Sequence, residues 1–109
     1  MKIVGIFDKH TSEVFKFLGV LTIQVNPNDS NLSDRVMSEI YEIKKNKNIF
    51  SVLISKNISS KIKRDLEDFI LTNSRPSIVE VDPIYNIDSY EDYESMIKRI
   101  IRETIGIRL

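Results

Sequence analysis

Cysteine is absent from this 109-residue chain, and glycine and proline occur only three times each. The lack of cysteine excludes disulfide frameworks, thiolate metal sites and cysteine nucleophiles. So little glycine and proline argues against long linkers or disordered stretches. The formal net charge is zero, from 16 basic and 16 acidic side chains. That balance argues against nucleic acid or an anionic bilayer as the main partner.

Long hydrophobic runs are also missing, since every apolar run falls well short of the roughly 20 residues that a membrane-spanning helix requires. The amino terminus does not resemble a secretion signal, because Met1-Lys2-Ile3 leads directly into a strand pattern. We therefore expect an intracellular protein. The length of the chain suits one domain with one modest core.

Apolar runs of strand length alternate with stretches of helical periodicity. The four predicted strands cover residues 2–7, 21–25, 49–54 and 76–81. The three helices predicted between them have apolar residues at Val14, Phe15 and Leu18, at Leu32, Val36, Met37, Ile40, Tyr41 and Ile43, and at Ile58, Ile62, Leu66, Phe69 and Ile70. A final helix follows the fourth strand. This order predicts a single α/β domain, Rossmann-like or receiver-like, with a four-stranded parallel sheet flanked by helices on both faces.

Short polar residues mark the ends of the predicted helices. Thr11 or Ser12 is predicted to cap the first helix, and Gly19 to close it. Asn57 or Ser59 is predicted to cap the third. Within the one domain, we assign residues 1–83 to the sheet body and residues 84–109 to a tether and a C-terminal amphipathic helix.

Chemistry in an open parallel sheet is expected in the loops at the carboxyl ends of its strands. None of these loops is glycine-rich, and Gly5 lies inside the first strand. Neither of the common glycine-rich phosphate-binding motifs is therefore present. We predict no cofactor and no metal at this edge, and no serine–histidine–aspartate arrangement is indicated. The expectation is a protein that is not an enzyme.

Two residues after the first strand keep a signalling alternative open. A phosphorelay receiver needs a carboxylate at the end of the third strand, where this chain has Ser55-Lys56-Asn57, and Asp8 alone cannot complete the metal site. A sugar-transport phosphocarrier places a histidine or cysteine just after its first strand, and His10 lies there. The ordinary interpretation is a helix-flanking polar residue for His10 and a loop carboxylate or helix cap for Asp8.

The last predicted helix, from Ser89 to about Ile105, has more apolar surface than a helix on a sheet requires. A step of about 100° per residue spreads its apolar side chains over roughly half of the circumference. These side chains are Tyr90, Tyr93, Met96, Ile97, Ile100, Ile101 and Ile105, and the opposite side carries Lys98, Arg99 and Arg102. Apolar surface with a charged border usually marks a protein contact. The same pattern also suits a helix sunk between the sheet and the third helix. The turn-rich stretch before it is predicted to be a tether that lets it move.

Three groups of segments, in order and at matching spacing along nearly the whole chain, carry a family resemblance. Residues 2–8 with 15–20 are similar to a strand, an acidic turn and a helix end of the form Phe-x-Leu-x-Gly-Val. Residues 52–62 are similar to a third strand and the helix after it. Residues 76–81 with 100–107 are similar to Pro-x-Ile-Val-Glu-Ile and Ile-x-x-x-Ile-Gly. Together they resemble the F subunits of the archaeal and bacterial V/A-type rotary ATPases.

The resemblance implies a non-catalytic central-stalk protein of a proton- or sodium-translocating ATPase or ATP synthase. In that family, the F subunit docks on the coiled-coil shaft, formed by the D subunit, mainly through its C-terminal helix, and modulates ATP hydrolysis. Carried onto this chain, the contact uses a set of apolar and basic residues. They are Ile97, Arg99, Ile100, Ile101, Arg102 and Ile105.

The resemblance also implies a cytoplasmic protein, held at the cytoplasmic face of the membrane only through the complex and monomeric when isolated. A contact with the catalytic head is a further expectation. The chain departs from the family at three places, one of which is the second-strand region from Leu21 to Asp34, where no match is found. Phe7-Asp8 replaces the usual Gly-Asp after the first strand, and Ile84–Ile87 replaces a proline-rich loop.

Overall fold

The computed structural model describes residues 2–84 and, beyond them, Ser95, Lys98 and Arg99. In this part of the chain, strands and helices alternate in the predicted order. The strands are β1 (Lys2–Phe7), β2 (Leu21–Gln24), β3 (Ile49–Ser55) and β4 (Ser77–Val81). The helices are α1 (Lys9–Phe17), α2 (Leu32–Lys44), α3 (Lys56–Ser59) and α4 (Lys63–Thr72).

The four strands form one parallel sheet in the order β2-β1-β3-β4. The chain moves one way across the sheet from β1 to β2, and the other way from β2 to β3 and on to β4. Because parallel crossovers are right-handed, this reversal places α1 on one face of the sheet and α2 to α4 on the other. The predicted fold class, a Rossmann-like α/β domain with helices on both faces, is confirmed.

The face covered by α2, α3 and α4 is almost entirely aliphatic. Alternate side chains of β1 and β3 point into it, because successive residues of a strand face opposite sides. Buried members of this core are Val4, Ile6, Val25, Leu32, Val36, Ile40, Ile43, Ile49, Val52, Ile54, Ile58, Ile62, Leu66 and Phe69. Phe69 is the one aromatic ring among these buried residues, and its edge meets Tyr41 with ring centroids 5.2 Å apart.

The face covered by α1 has a smaller core built around two aromatic rings. Phe7 of β1 and Phe15 of α1 stack with their ring centroids 4.5 Å apart, and Leu53, Val81 and Ile84 are buried with them. The Phe7 ring folds back over its own strand. A Cβ added at Gly5 would lie 2.1 Å from that ring, so the close packing requires glycine.

The helix ends differ from the predictions at the first and third helices. Asp8, and not Thr11 or Ser12, is the N-cap of α1, while Gly19 closes it with a positive φ of 87°, as predicted. The third predicted helix is in fact two helices, α3 and α4. Asn57 and Ser59 both lie inside α3, which starts directly after β3, so neither residue is an N-cap. The apolar residues on both sides of the break between α3 and α4 still face the sheet.

One core prediction in α4 is wrong. Ile58, Ile62, Leu66 and Phe69 are buried as predicted, but Ile70 is 52% exposed. Phe69 already points at the sheet, and its neighbour lies about 100° further around the helix. The predicted fourth strand also begins one residue later than expected, since Pro76 has no N–H to give to the ladder.

Candidate functional site

The natural place for a site in this fold is the carboxyl edge of the sheet between β1 and β3. Strand order reverses there, so the chain leaves the two strands toward opposite faces and opens a crevice between them. The segments that border this point begin at Asp8 after β1 and at Lys56 after β3. The hydrogen bonds and ion pairs of these side chains determine which of them can contact a ligand at this edge.

Asp8 is engaged in capping α1. Its Oδ2 atom accepts a hydrogen bond from the backbone N of Thr11 at 3.3 Å, and its Oδ1 atom accepts one from the Thr11 hydroxyl at 2.8 Å. An acidic N-cap satisfies an N–H that the helix leaves without an intrahelical partner. The structure therefore agrees with the interpretation of Asp8 as a helix cap.

The end of β3 holds a serine where a receiver domain has its phosphoacceptor carboxylate. Ser55 is fully buried, and its Oγ atom has no hydrogen-bond partner among the described residues. The next residue, Lys56, is exposed and pairs with Asp82 after β4 at 3.1 Å. The Asn57 Oδ1 atom is also buried, and residues 2–84 supply no partner for it. No carboxylate therefore occupies the last position of β3 or the first positions of α3.

The chain that leaves β4 crosses toward α1 and closes the crevice from one side. The backbone N of Ile84 donates a 3.0 Å hydrogen bond to the Thr11 hydroxyl, in a buried position. The Ile84 side chain is 4% exposed and packs into the core of Phe7 and Phe15. Ile84, the first residue of the predicted tether, is thus part of the α1-side core.

The loop after β2 forms a second, separate feature of the same edge. The Asn26 side chain accepts from the backbone N of Asn28 at 2.9 Å, which folds the turn. Lys61, from the break between α3 and α4, donates to the Pro27 carbonyl at 2.8 Å. An open depression of about 430 Å³ lies between this loop and Lys61. The lysine is occupied in holding the loop.

His10 lies in the first turn of α1 and is exposed, so the structure brings it to the surface near the predicted edge. Across the described residues, no group of three or more histidine, aspartate and glutamate side chains is placed to hold a metal ion. The same part of the chain has no helix whose length and apolar character would let it cross a membrane.

Most of the predicted shaft-binding residues lie outside the described part of the chain: Ile97, Ile100, Ile101, Arg102 and Ile105. Arg99 is described, and it is helical and exposed, as are Ser95 and Lys98. The predicted contact therefore stays a prediction, with Arg99 as its one described member.

Sequence reasoning missed the contact between Thr11 and Ile84, which are 73 positions apart. An aspartate directly before a helical pattern is one signal of an N-cap, and Asp8 lies there. Nothing in the sequence around Ile84 indicates a partner for its backbone N–H. Comparison with known proteins finds no family model that matches the chain and no matching curated protein.

Proposed function

We propose that this protein is a non-catalytic central-stalk component of a V/A-type rotary ATPase or ATP synthase, equivalent to the F subunit. Its α/β body would sit beside the coiled-coil shaft, and its C-terminal helix would bind the shaft and modulate ATP hydrolysis. It would then be held at the cytoplasmic face of the membrane through the complex alone. The observation that carries the proposal is the breadth of the apolar surface encoded between Tyr90 and Ile105.

The surroundings of the switch point support a binding role over a catalytic one. Asp8 is used as a cap, Lys56 is paired with Asp82, and Ser55 is buried. A general acid or base must reach a substrate proton. Side chains that cap, pair or pack inside the fold are suited to holding a rigid body instead.

The charge pattern of the C-terminal segment also supports the proposal. Arg99 is exposed on a helix, at the side opposite the apolar residues. An interface with an apolar centre and a charged border is the usual arrangement for helix-to-helix recognition. The coiled-coil shaft offers such a partner surface.

The proposal is tested by Ile101→Glu in the full chain, with the shaft protein co-expressed. We expect the isolated variant to keep its fold and to lose co-purification with the shaft, because a charge buried at the centre of an interface costs about 2 kcal/mol or more. Ser95→Glu is the matched control, since Ser95 is exposed and lies opposite the apolar side of the helix. Co-purification of Ile101→Glu at the wild-type level would refute the proposed contact.

Two further measurements separate the competing arrangements. If Ile101→Glu unfolds the isolated chain, as followed by circular dichroism, the helix belongs to the domain core and leaves no free surface for a shaft. Light scattering on the purified chain should give a monomer, whereas a dimer would favour self-association through the last helix.

The signalling alternative has one observation in its favour, the exposure of His10 just beyond β1. As a phosphocarrier, the protein would take up a labile phosphoryl group on that imidazole. Incubation with a small phosphodonor followed by intact-mass spectrometry decides it. A phosphoryl adduct on His10 that is lost in His10→Gln would establish this function in place of the stalk role.

A further inference from the structure

The Thr11 hydroxyl is the one group that ties the chain after β4 to the start of α1 through a buried hydrogen bond among the described residues. It donates to the Asp8 carboxylate at 2.8 Å and accepts from the Ile84 backbone N at 3.0 Å. Thr11 itself is completely buried. A hydroxyl can donate and accept at once, so a single side chain completes both bonds.

We infer that Thr11 and Ile84 form a latch, which holds the residues after β4 against the start of α1. Opening this latch releases residues 82–84 from α1 while the sheet stays folded. The regulatory meaning of the latch rests on the proposed function, because the residues it holds precede the segment proposed to bind the shaft. The latch itself depends only on residues of the body.

The contacts of the latch make it a local unit. Asp82 is held to the body by an exposed ion pair with Lys56, and such pairs contribute little in water. Ile84 is held by its buried side chain and by its bond to Thr11. Among the described residues, few buried contacts therefore hold residues 82–84 to the body, and we expect their opening to need much less than global unfolding.

The same geometry couples the latch to the cap of α1. The Asp8 carboxylate accepts hydrogen bonds from both the Thr11 hydroxyl and the Thr11 backbone N. The bond to Asp8 orients the hydroxyl so that its oxygen can accept from the Ile84 backbone N. A charged acceptor polarises the hydroxyl that it binds and strengthens the bond that the hydroxyl accepts. The acidic residue after β1 thus supports the latch without touching Ile84.

The experiment is native-state hydrogen exchange by NMR on the isolated full chain, with Thr11→Val. Valine keeps the shape of threonine but leaves the Ile84 N–H buried without an acceptor. We expect exchange of the Ile84 amide to rise about 10-fold or more, while amides of the central strand β3 change much less. Thr11→Ser, which keeps the hydroxyl, should restore slow exchange at Ile84.

Ser12→Ala is the matched control. Ser12 is the buried neighbour of Thr11 in α1, and its hydroxyl donates to Thr22 of β2 and not to the segment after β4. Its removal should leave exchange at Ile84 within about 3-fold of wild type. If Thr11→Val fails to fold, Ile84→Ala leaves α1 intact and should also accelerate exchange at position 84.

Two results would overturn the latch: unchanged exchange at position 84 in Thr11→Val or Ile84→Ala, or an equal loss of protection at position 84 and throughout β3. The second result would mean that the contact is only part of the global fold. Because no shaft protein is present in this measurement, its outcome is independent of whether Ile101→Glu abolishes shaft binding.

Discussion

The two faces of the sheet are packed in different ways. The face under α2 and α4 is filled by aliphatic side chains that recur at strand and helix spacing. The face under α1 combines a stacked pair of phenylalanines, a glycine required by close approach, and hydrogen bonds through the hydroxyls of Thr11 and Ser12. The packing of the first face is stabilised by the amount of apolar surface that it buries. The packing of the second face also requires specific contacts between particular atoms.

This difference matters because the last described residue after β4 packs on the α1 side. Ile84 is buried among Phe7 and Phe15 and is bonded to α1. Directional bonds can open one at a time, whereas a continuous aliphatic core yields only with global unfolding. The α1 face is therefore the side on which we expect Ile84 to open before the aliphatic core does.

The largest expected effect tests the aliphatic face. Phe69→Ala should lower the free energy of unfolding by about 3–5 kcal/mol, because Phe69 is 1% exposed and its loss leaves a cavity under α4. Its neighbour Ile70, half exposed on the same helix, is the control, and Ile70→Ala should cost far less. Urea denaturation measures both. Similar costs for the two variants would contradict the burial of Phe69 between α4 and the sheet.

An intermediate effect tests the close approach on the α1 face. Gly5→Ala should destabilise the fold by about 1–3 kcal/mol, because the new methyl group overlaps the Phe7 ring. That ring is stacked on Phe15 and fully buried, so it has no free space to move into. The double variant with Phe7→Leu should recover part of the loss, as measured by thermal unfolding. Purely additive losses would show that the strain arises elsewhere.

The smallest effect tests the cap beneath the latch. Asp8→Ala should cost about 0.5–2 kcal/mol, because α1 loses its N-cap and the Thr11 hydroxyl loses its acceptor. Asp8→Asn should cost much less, since asparagine is also a good N-cap. Circular dichroism with denaturant gives both values. Equal costs for the two variants would point to the carboxylate charge and away from capping.

Much of the fold could be predicted from the sequence because its main signals are local. Leu32, Val36, Ile40 and Ile43 repeat at helical spacing and are all buried against the sheet. The break at Ile62 was not predictable in the same way, since the apolar stripe from Ile58 to Phe69 continues through it. Periodicity reports which face is apolar and does not report where a helix is interrupted.

The candidate site was predicted less completely. The sequence indicates which polar residues follow β1. It does not indicate which hydrogen bonds those residues make. The sequence is equally compatible with Asp8 as a free carboxylate, and only its distance to Thr11 shows that it is a cap. Residues that meet across most of the chain, such as Thr11 and Ile84, leave no trace in a local pattern.

The sequence by itself determined the class of fold and the direction of its strands, because alternating apolar strands and amphipathic helices leave few other ways to bury their surfaces. The tertiary structure decided which polar atoms meet at the carboxyl edge. Hydrogen bonds depend on distances of a few tenths of an ångström between residues far apart in the chain, and periodicity carries no information on that scale.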